Sequence, residues 1–278
     1  MLVTVRSPYL RAPGSPVRVV GHRGALALAP ENTVAAFETA VRCGADAIEF
    51  DVQRTADGVP VVIHDERLDR TTTGTGRVSE LRFHEIRALD AGAWFGQRFA
   101  GLRVPSLDEL LTWAGPRAID LMLELKQPVP ASGEPRDEEL APAALGAVRA
   151  RGLLERTLFI SFDHPTIAQL VGLDPSARTA LLTEGPALVD PLSPARAVDG
   201  TLGVHVRWRW VSRELCDAAH AAGMHVHAWG LGRPIPPEAV RRLVDFGIDS
   251  LSADAPDELL RLLAAEGSLA PATTTAPG

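Results

Sequence analysis

Ala47, Ile48, Glu49, Phe50, Asp51 and Val52 alternate apolar residues with two acids. Side chains on a strand project to opposite faces in turn, so Glu49 and Asp51 share one face while Ile48, Phe50 and Val52 take the other. The alternation returns over residues 118–126, with Asp120, Met122, Glu124 and Lys126 opposite Ile119, Leu121, Leu123 and Leu125. Apolar, β-branched runs at 17–21, 157–163, 177–183, 202–208, 224–231 and 250–254 have strand length. Helical spacing predicts helices at 33–42, 138–151, 186–197, 212–222, 237–246 and 256–265. The first of these starts at Pro30-Glu31-Asn32-Thr33, with Val34, Phe37 and Val41 as its apolar stripe, and Gly44 ends it.

Counting the strand around Glu49 and its return arm as one unit gives eight strand-and-connection units, the order of a parallel α/β TIM-type (β/α)8 barrel. The rhythm breaks between Glu66 and about Gly115, where Thr71-Thr72-Thr73-Gly74-Thr75-Gly76 and short elements predict a small inserted subdomain above the barrel, after the second strand's hairpin. Residues 1–16 read as a leader, 128–135 as a loop and 267–278 as a disordered tail, which leaves 17–266 as a single catalytic barrel domain.

The hairpin turn is set by Thr55-Ala56-Asp57-Gly58. With Asp57-Gly58 as a two-residue loop, Ala56 faces Val59 and Asp51 faces His64, on the same side as Glu49. A three-residue loop with a bulge would shift this register by one.

Hydrophobic residues at 46% and charged residues at 23% are ordinary for a globular chain of 278 residues. The net charge of −7 and pI near 5.6 argue against general attraction to nucleic acid or anionic membrane. No run approaches the ~18 apolar residues of a membrane span, and the N-terminus has no apolar core of signal-peptide length, so a cytoplasmic location without stable membrane insertion is expected. Cys43 and Cys216 are too few and isolated for a disulfide framework or zinc site and read as small buried hydrophobes.

Two adjacent carboxylates repel and lose hydration unless a cation or proton lies between them. As solvent-facing residues Glu49 and Asp51 would need no explanation, but a parallel sheet buries both faces, which favours a metal site. Glu124 at another strand end would complete an all-oxygen set suited to one divalent cation, Mg²⁺ or Ca²⁺ rather than zinc; alone, Glu124-Leu125-Lys126 could be a structural ion pair. His22 would ordinarily be a satisfied loop histidine. A second histidine, His64, beside the same carboxylates makes an acid and base pair. Arg23 offers a fork for phosphate oxygens, and Gly24 permits close backbone approach. His84, His164, His205, His220, His225 and His227 lack such partners and read mostly as structural or surface residues.

These residues resemble the glycerophosphodiester phosphodiesterases. The match runs through His22-Arg23-Gly24, Pro30-Glu31-Asn32-Thr33, Glu49-Phe50-Asp51-Val52, Asp57-Gly58 and Val61-Val62-Ile63-His64-Asp65. It continues through Leu68-Asp69-Arg70-Thr71-Thr72, Leu89-Asp90-Ala91-Gly92, Val104-Pro105-Ser106-Leu107, Glu124-Leu125-Lys126 and Ser161-Phe162-Asp163, and resumes at 220–229 and 249–256. The resemblance implies that Glu49, Asp51 and Glu124 hold the cation, that His22 and His64 are the acid and base, and that Arg23 holds phosphate with help from Lys126. It also implies an inserted subdomain over 66–117 and a small-molecule phosphodiester substrate, cleaved to glycerol 3-phosphate and an alcohol. Trp229 corresponds to the family's barrel-mouth tryptophan and joins the substrate-binding set. The residues after it, Gly230, Leu231 and Gly232, depart from the family's usual Thr, apolar, Asn pattern. Trp208 and Trp210, interleaved with Arg207 and Arg209, match nothing in it and are either strand-end residues or contacts to the substrate's alcohol. Two other readings stand beside this one: lysophospholipase D-like hydrolysis of a lysophospholipid, and a non-catalytic barrel that binds a phosphorylated ligand. Nothing in the chain indicates an oligomeric state.

Overall fold

The computed structural model describes residues 7–12, 14–128, 133, 135–185 and 192–268. In chain order the elements are β1 (Arg18–Gly21), α1 (Val34–Cys43), β2 (Ala47–Arg54), β3 (Pro60–Val62), α2 (Phe83–Ala88) and α3 (Leu107–Ala114). There follow β4 (Asp120–Leu125), α4 (Leu140–Ala150), β5 (Thr157–Ser161), α5 (His164–Leu173), β6 (Arg178–Thr183), α6 (Ser193–Arg196) and β7 (Thr201–Arg207). Next come α7 (Arg213–Ala221), β8 (His225–Leu231), α8 (Pro237–Asp245), β9 (Ser250–Ala253) and α9 (Pro256–Ala265). Strands β1, β2 and β4 to β9 pair in parallel, and β1 pairs with both β2 and β9, closing an eight-stranded barrel. This is the expected TIM-type fold; β3 is the antiparallel arm of the β2 hairpin.

Alternation along the strands separates two apolar layers. Ile48, Phe50 and Val52 of β2 point outward into the main core, with Phe37 of α1 and Leu107, Leu110 and Leu111 of α3. Val20, Ala47, Met122, Leu158, Ile160, Ala180 and Leu182 form a second cluster, drawn from the opposite face of the strands and lying inside the barrel. Burying one such Leu, Ile or Phe contributes ~1.5–3 kcal/mol. The α1 stripe differs from expectation: Ala36, Phe37 and Ala40 are buried while Val41 is exposed. Small side chains there let α1 lie close to the sheet. Helix α5 was not anticipated. Its run, His164 to Leu173, carries three polar residues among ten without a clear amphipathic stripe, and Asp163, expected to end β5, instead caps α5 by accepting from Thr166 N at 3.0 Å. Of the helix expected at 186–197, the single turn α6 is seen, and 186–191 lie outside the described residues, as do parts of the 128–135 loop.

Between β3 and α3 the chain builds a third apolar cluster from Val61, Ile63, Leu68, Val78, Ile86, Ala91 and Val104. Helix α3, by contrast, packs in the main barrel core. Ser7, ahead of β1, is buried and binds Gly223 O through its amide, while Tyr9 packs against the inner cluster. Cys216 is buried as expected, but Cys43 is only half-buried.

Most of the remaining histidines prove structural, and three of them, His205, His225 and His227, fill the barrel interior. His225 Nδ1 lies 3.0 Å from the Leu202 carbonyl and so must donate to it. His225 Nε2 is then an acceptor, and His205 Nε2 donates to it at 3.0 Å. Burial lowers all three, holding His225 down at about 4 and His227 down at about 3, so the interior histidines are neutral at pH 7. Below pH 6.5 the unfolded chain binds protons that this interior refuses, so the stability present above pH 6.5 is lost as pH falls towards 4. At about 1.4 kcal/mol per unit of displacement the loss is several kcal/mol, and Tm is expected to drop by on the order of 10 °C between pH 7 and pH 4.5. A Tm indifferent to pH over that range, followed by circular dichroism, would contradict the assignment.

Candidate active site

The hairpin register comes first, because it decides where His64 lies. Val52 pairs with Val62, Gln53 with Val61 and Arg54 with Pro60, so Asp51 faces Ile63, not His64. The expected two-residue loop is a three-residue one: Thr55 N bonds Val59 O at 3.0 Å, Gly58 N bonds Thr55 O at 2.9 Å, and Gly58 has φ +83°. Thr55 Oγ1, bonded to Asp57 Oδ1 at 2.6 Å, also accepts Val59 N and fixes this bulged form. His64 therefore sits just past the strand, in a turn held by Gln53, whose Nε2 lies 3.0, 2.9 and 2.8 Å from the carbonyls of Ile63, His64 and Asp65. The side chain still lines the same cleft as Glu124 and Lys126.

Glu49, Asp51 and Glu124 are all buried, and one ligand oxygen from each lies within 4.8 Å of the others. The β2–β4 register sets Asp51 directly beside Glu124. Burial first, and then the charge of Asp51, push Glu49 up to about 8. Burial acts the same way on Asp51, but Arg23 and Lys126 outweigh it and hold that carboxyl low. Three buried carboxylates that cannot all ionise without added positive charge are a donor set fitted to a divalent cation. Lys126 Nζ supplies part of that charge, 2.9 Å from Glu124 Oε1 and 3.8 Å from Asp51 Oδ1.

The turn after β1 carries the next two residues. Arg23 has φ +47°, a left-handed conformation uncommon away from glycine, and this aims its amide at Glu49 Oε2, 2.8 Å away. Gly24 is required there: a Cβ would stand 2.6 Å from the backbone of Ala36. The Arg23 guanidinium gives Nη1 to Glu31 at 2.8 Å, while its buried Nε has no hydrogen-bond partner and points towards Asp51 Oδ2 at 3.5 Å. Asn32, also left-handed at φ +57°, donates Nδ2 to Asp51 at 2.8 Å.

Each histidine has a carboxylate behind it. His22 Nδ1 is 2.6 Å from Asp254 Oδ1, and His64 Nδ1 is 2.6 Å from Asp65 Oδ1. The pairs hold both rings by Nδ1, and His64 lines the cleft. Burial opposes protonation of His22, but the Asp254 bond and the charge of Glu49 prevail and its pKa is raised. For His64 burial prevails over the pull of Asp51, and its pKa is lowered. Asp254, Asp65, Asn32, Glu31 and Arg70 were missed as site residues, although Asp254 closes a barrel strand and Asp65 adjoins His64 in sequence.

Trp229 is at the mouth, edge-on to Phe162 at 5.5 Å with Arg207 over it at 5.7 Å. Trp208 is not at the mouth. It lies in the outer core between Arg209 and Arg242 of α8, the ordinary structural outcome for such a residue, and Trp210 is exposed. A cleft of about 810 Å³ opens beside the carboxylates, and Leu125, Pro128 and Phe162 are the only apolar side chains among its described lining residues.

Buried carboxylates that need added positive charge, beside an arginine and two histidines at one end of a TIM barrel, suit the hydrolysis of a phosphate ester. Residues 22–258 match the glycerophosphoryl diester phosphodiesterase family model. The glycerophosphodiester phosphodiesterase of Caldanaerobacter subterraneus is 34% identical, over 88% of this chain and 97% of that one. The crystal structure of the Agrobacterium tumefaciens glycerophosphodiester phosphodiesterase superposes with a TM-score of 0.72 at 32% identity, covering 88% and 99% of the two chains. An Oleispira antarctica phosphodiesterase, solved with its product sn-glycerol-3-phosphate, gives a TM-score of 0.80 at 26% identity, covering 90% and 97%. The chain belongs to the glycerophosphoryl diester phosphodiesterase family. No helix among the described residues is long and apolar enough to cross a membrane.

Proposed function

We propose that the protein hydrolyses glycerophosphodiesters to glycerol 3-phosphate and an alcohol at a site that requires one divalent cation. The observation that carries this is the buried cluster of Glu49, Asp51 and Glu124 between two histidines, each backed by its own aspartate. The cation, held by those three carboxylates, would supply positive charge for the non-bridging phosphate oxygens.

The chain's own residues supply the rest. Arg23, whose unpartnered Nε is directed at the carboxylate cluster, adds preorganised positive charge beside the phosphate as the transition state develops. Lys126 keeps the carboxylates from repelling one another and stands within reach of the same phosphate. His64, whose pKa is lowered, starts neutral and takes the proton of the attacking hydroxyl, whether water or the substrate's own 2-hydroxyl. His22, whose pKa is raised, starts protonated and gives its proton to the departing alcohol. Trp229 and the cleft beside it receive that alcohol.

Charged side chains at nine of the seventeen described lining residues give a polar alcohol partners in the cleft. The packing of Trp208 in the outer core weakens the lysophospholipid reading, and the complete set of chemical residues disfavours a non-catalytic binder. A glycerophosphodiester and a lysophospholipid supplied at equal concentration test the choice: glycerol 3-phosphate from the first and little turnover of the second is expected, and the reverse preference would overturn it.

A further inference from the structure

We propose that Glu31 and Arg70 form a positioning bridge that docks the excursion between β3 and α3 onto the barrel and fixes Arg23 and His64 relative to each other. The inference rests on the roles given to those two residues above. Glu31 lies in the loop between β1 and α1 with its side chain 6% exposed. Its carboxylate accepts Arg23 Nη1 at 2.8 Å together with Arg70 Nη1 and Nη2, both at 2.7 Å. Arg70 belongs to the excursion, next to Leu68 of its apolar cluster and to the buried Thr71 and Thr72. The same guanidinium donates Nε to Asp65 Oδ2 at 2.6 Å and Nη2 to Asp65 Oδ1 at 3.0 Å. Asp65 in turn holds His64 Nδ1 at 2.6 Å.

The side chains Arg23, Glu31, Arg70, Asp65 and His64 thus form one continuous hydrogen-bonded path from phosphate-binding arginine to base. A planar guanidinium with its donors in a rigid fork transmits orientation along such a path, which a single ammonium cannot. The bridge is charge-balanced, two arginines against two carboxylates. It spends only one Arg23 nitrogen and leaves Nε directed at the carboxylate cluster. An ion pair that merely pinned the excursion down would have no need to share both of its carboxylates with site residues.

Steady-state kinetics of the cation-loaded full chain on a glycerophosphodiester test this with Arg70→Met, Arg70→Lys, Asp65→Asn, the Arg70→Met/Asp65→Asn double variant and His64→Ala. Arg70→Met is expected to lower kcat by roughly 10- to 100-fold, the scale of a misplacement of about 1 Å, with much less change in KM. Arg70→Lys is expected to melt as the wild type does yet recover only part of kcat, so the test survives if Arg70→Met folds poorly. Because Arg70 and Asp65 are consecutive links of one path, the double variant should be no worse than the poorer single one. Arg70→Lys with wild-type kcat, or losses that multiply in the double variant, would overturn the bridge while inactive His64→Ala left the reading beneath it standing. His64→Ala at the wild-type rate would instead remove that reading, and the bridge with it.

Discussion

Glu49→Gln is expected to lower kcat/KM by roughly 10³-fold, about 4 kcal/mol of transition-state stabilisation, while leaving the fold intact. The amide keeps the shape of the side chain and an oxygen for the Arg23 amide, which donates to Glu49 at 2.8 Å. It also resembles the uncharged form that burial and Asp51 favour when no cation is bound, since they push the Glu49 pKa up to about 8. What the amide cannot supply is the third negative charge. A hard cation binds ionised oxygens, so the set falls from three charged donors to two. In chelator, the Tm of the variant should match the wild type or exceed it slightly. The Tm rise that Mg²⁺ or Ca²⁺ gives the wild type should vanish with the activity. Full activity in Glu49→Gln would remove the carboxylate cluster from the mechanism.

Removing either histidine is the second large effect, 10²- to 10⁴-fold in kcat/KM for lost proton transfer, and the pH profile distinguishes the two. His22 must carry a proton in the free enzyme and its pKa is raised, so the loss of its proton sets an alkaline limb above 6.5. His64 must be neutral and its pKa is lowered, so protonation sets an acid limb below 6.5. The wild-type profile is therefore expected to be a bell, with His22 on its alkaline side and His64 on its acid side. His64→Ala should lose the acid limb and His22→Ala the alkaline limb. The opposite pattern would exchange the two roles.

The barrel and most of its mouth could be read from the chain because alternation is a local property. Each strand announces its faces within six or eight residues, and the (β/α)8 rule then places Glu49, Asp51, Glu124 and His22 at one end. The hairpin could not be read to the residue. A two-residue and a three-residue loop share the Asp57-Gly58 signal, and the choice rests on Thr55 Oγ1, a side-chain bond that no periodicity reports. His64 reaches the site even so, because Gln53 holds the turn that carries it. Arg70, 39 residues from Glu31, was invisible as a partner for a different reason: its position follows from how the excursion folds back, and the carboxylate it meets is fixed by another loop. The three interior histidines looked like isolated polar residues until β7 and β8 aligned them, and only then did their shared neutral state appear.

The central claim, a cation-requiring phosphodiesterase centre built on Glu49, Asp51 and Glu124, is tested most directly by measuring glycerol 3-phosphate release from a glycerophosphodiester with protein stripped by EDTA and then titrated with Mg²⁺ or Ca²⁺. The expected result is no release from the stripped protein and recovery that saturates with one cation per chain. Undiminished release in EDTA would contradict it.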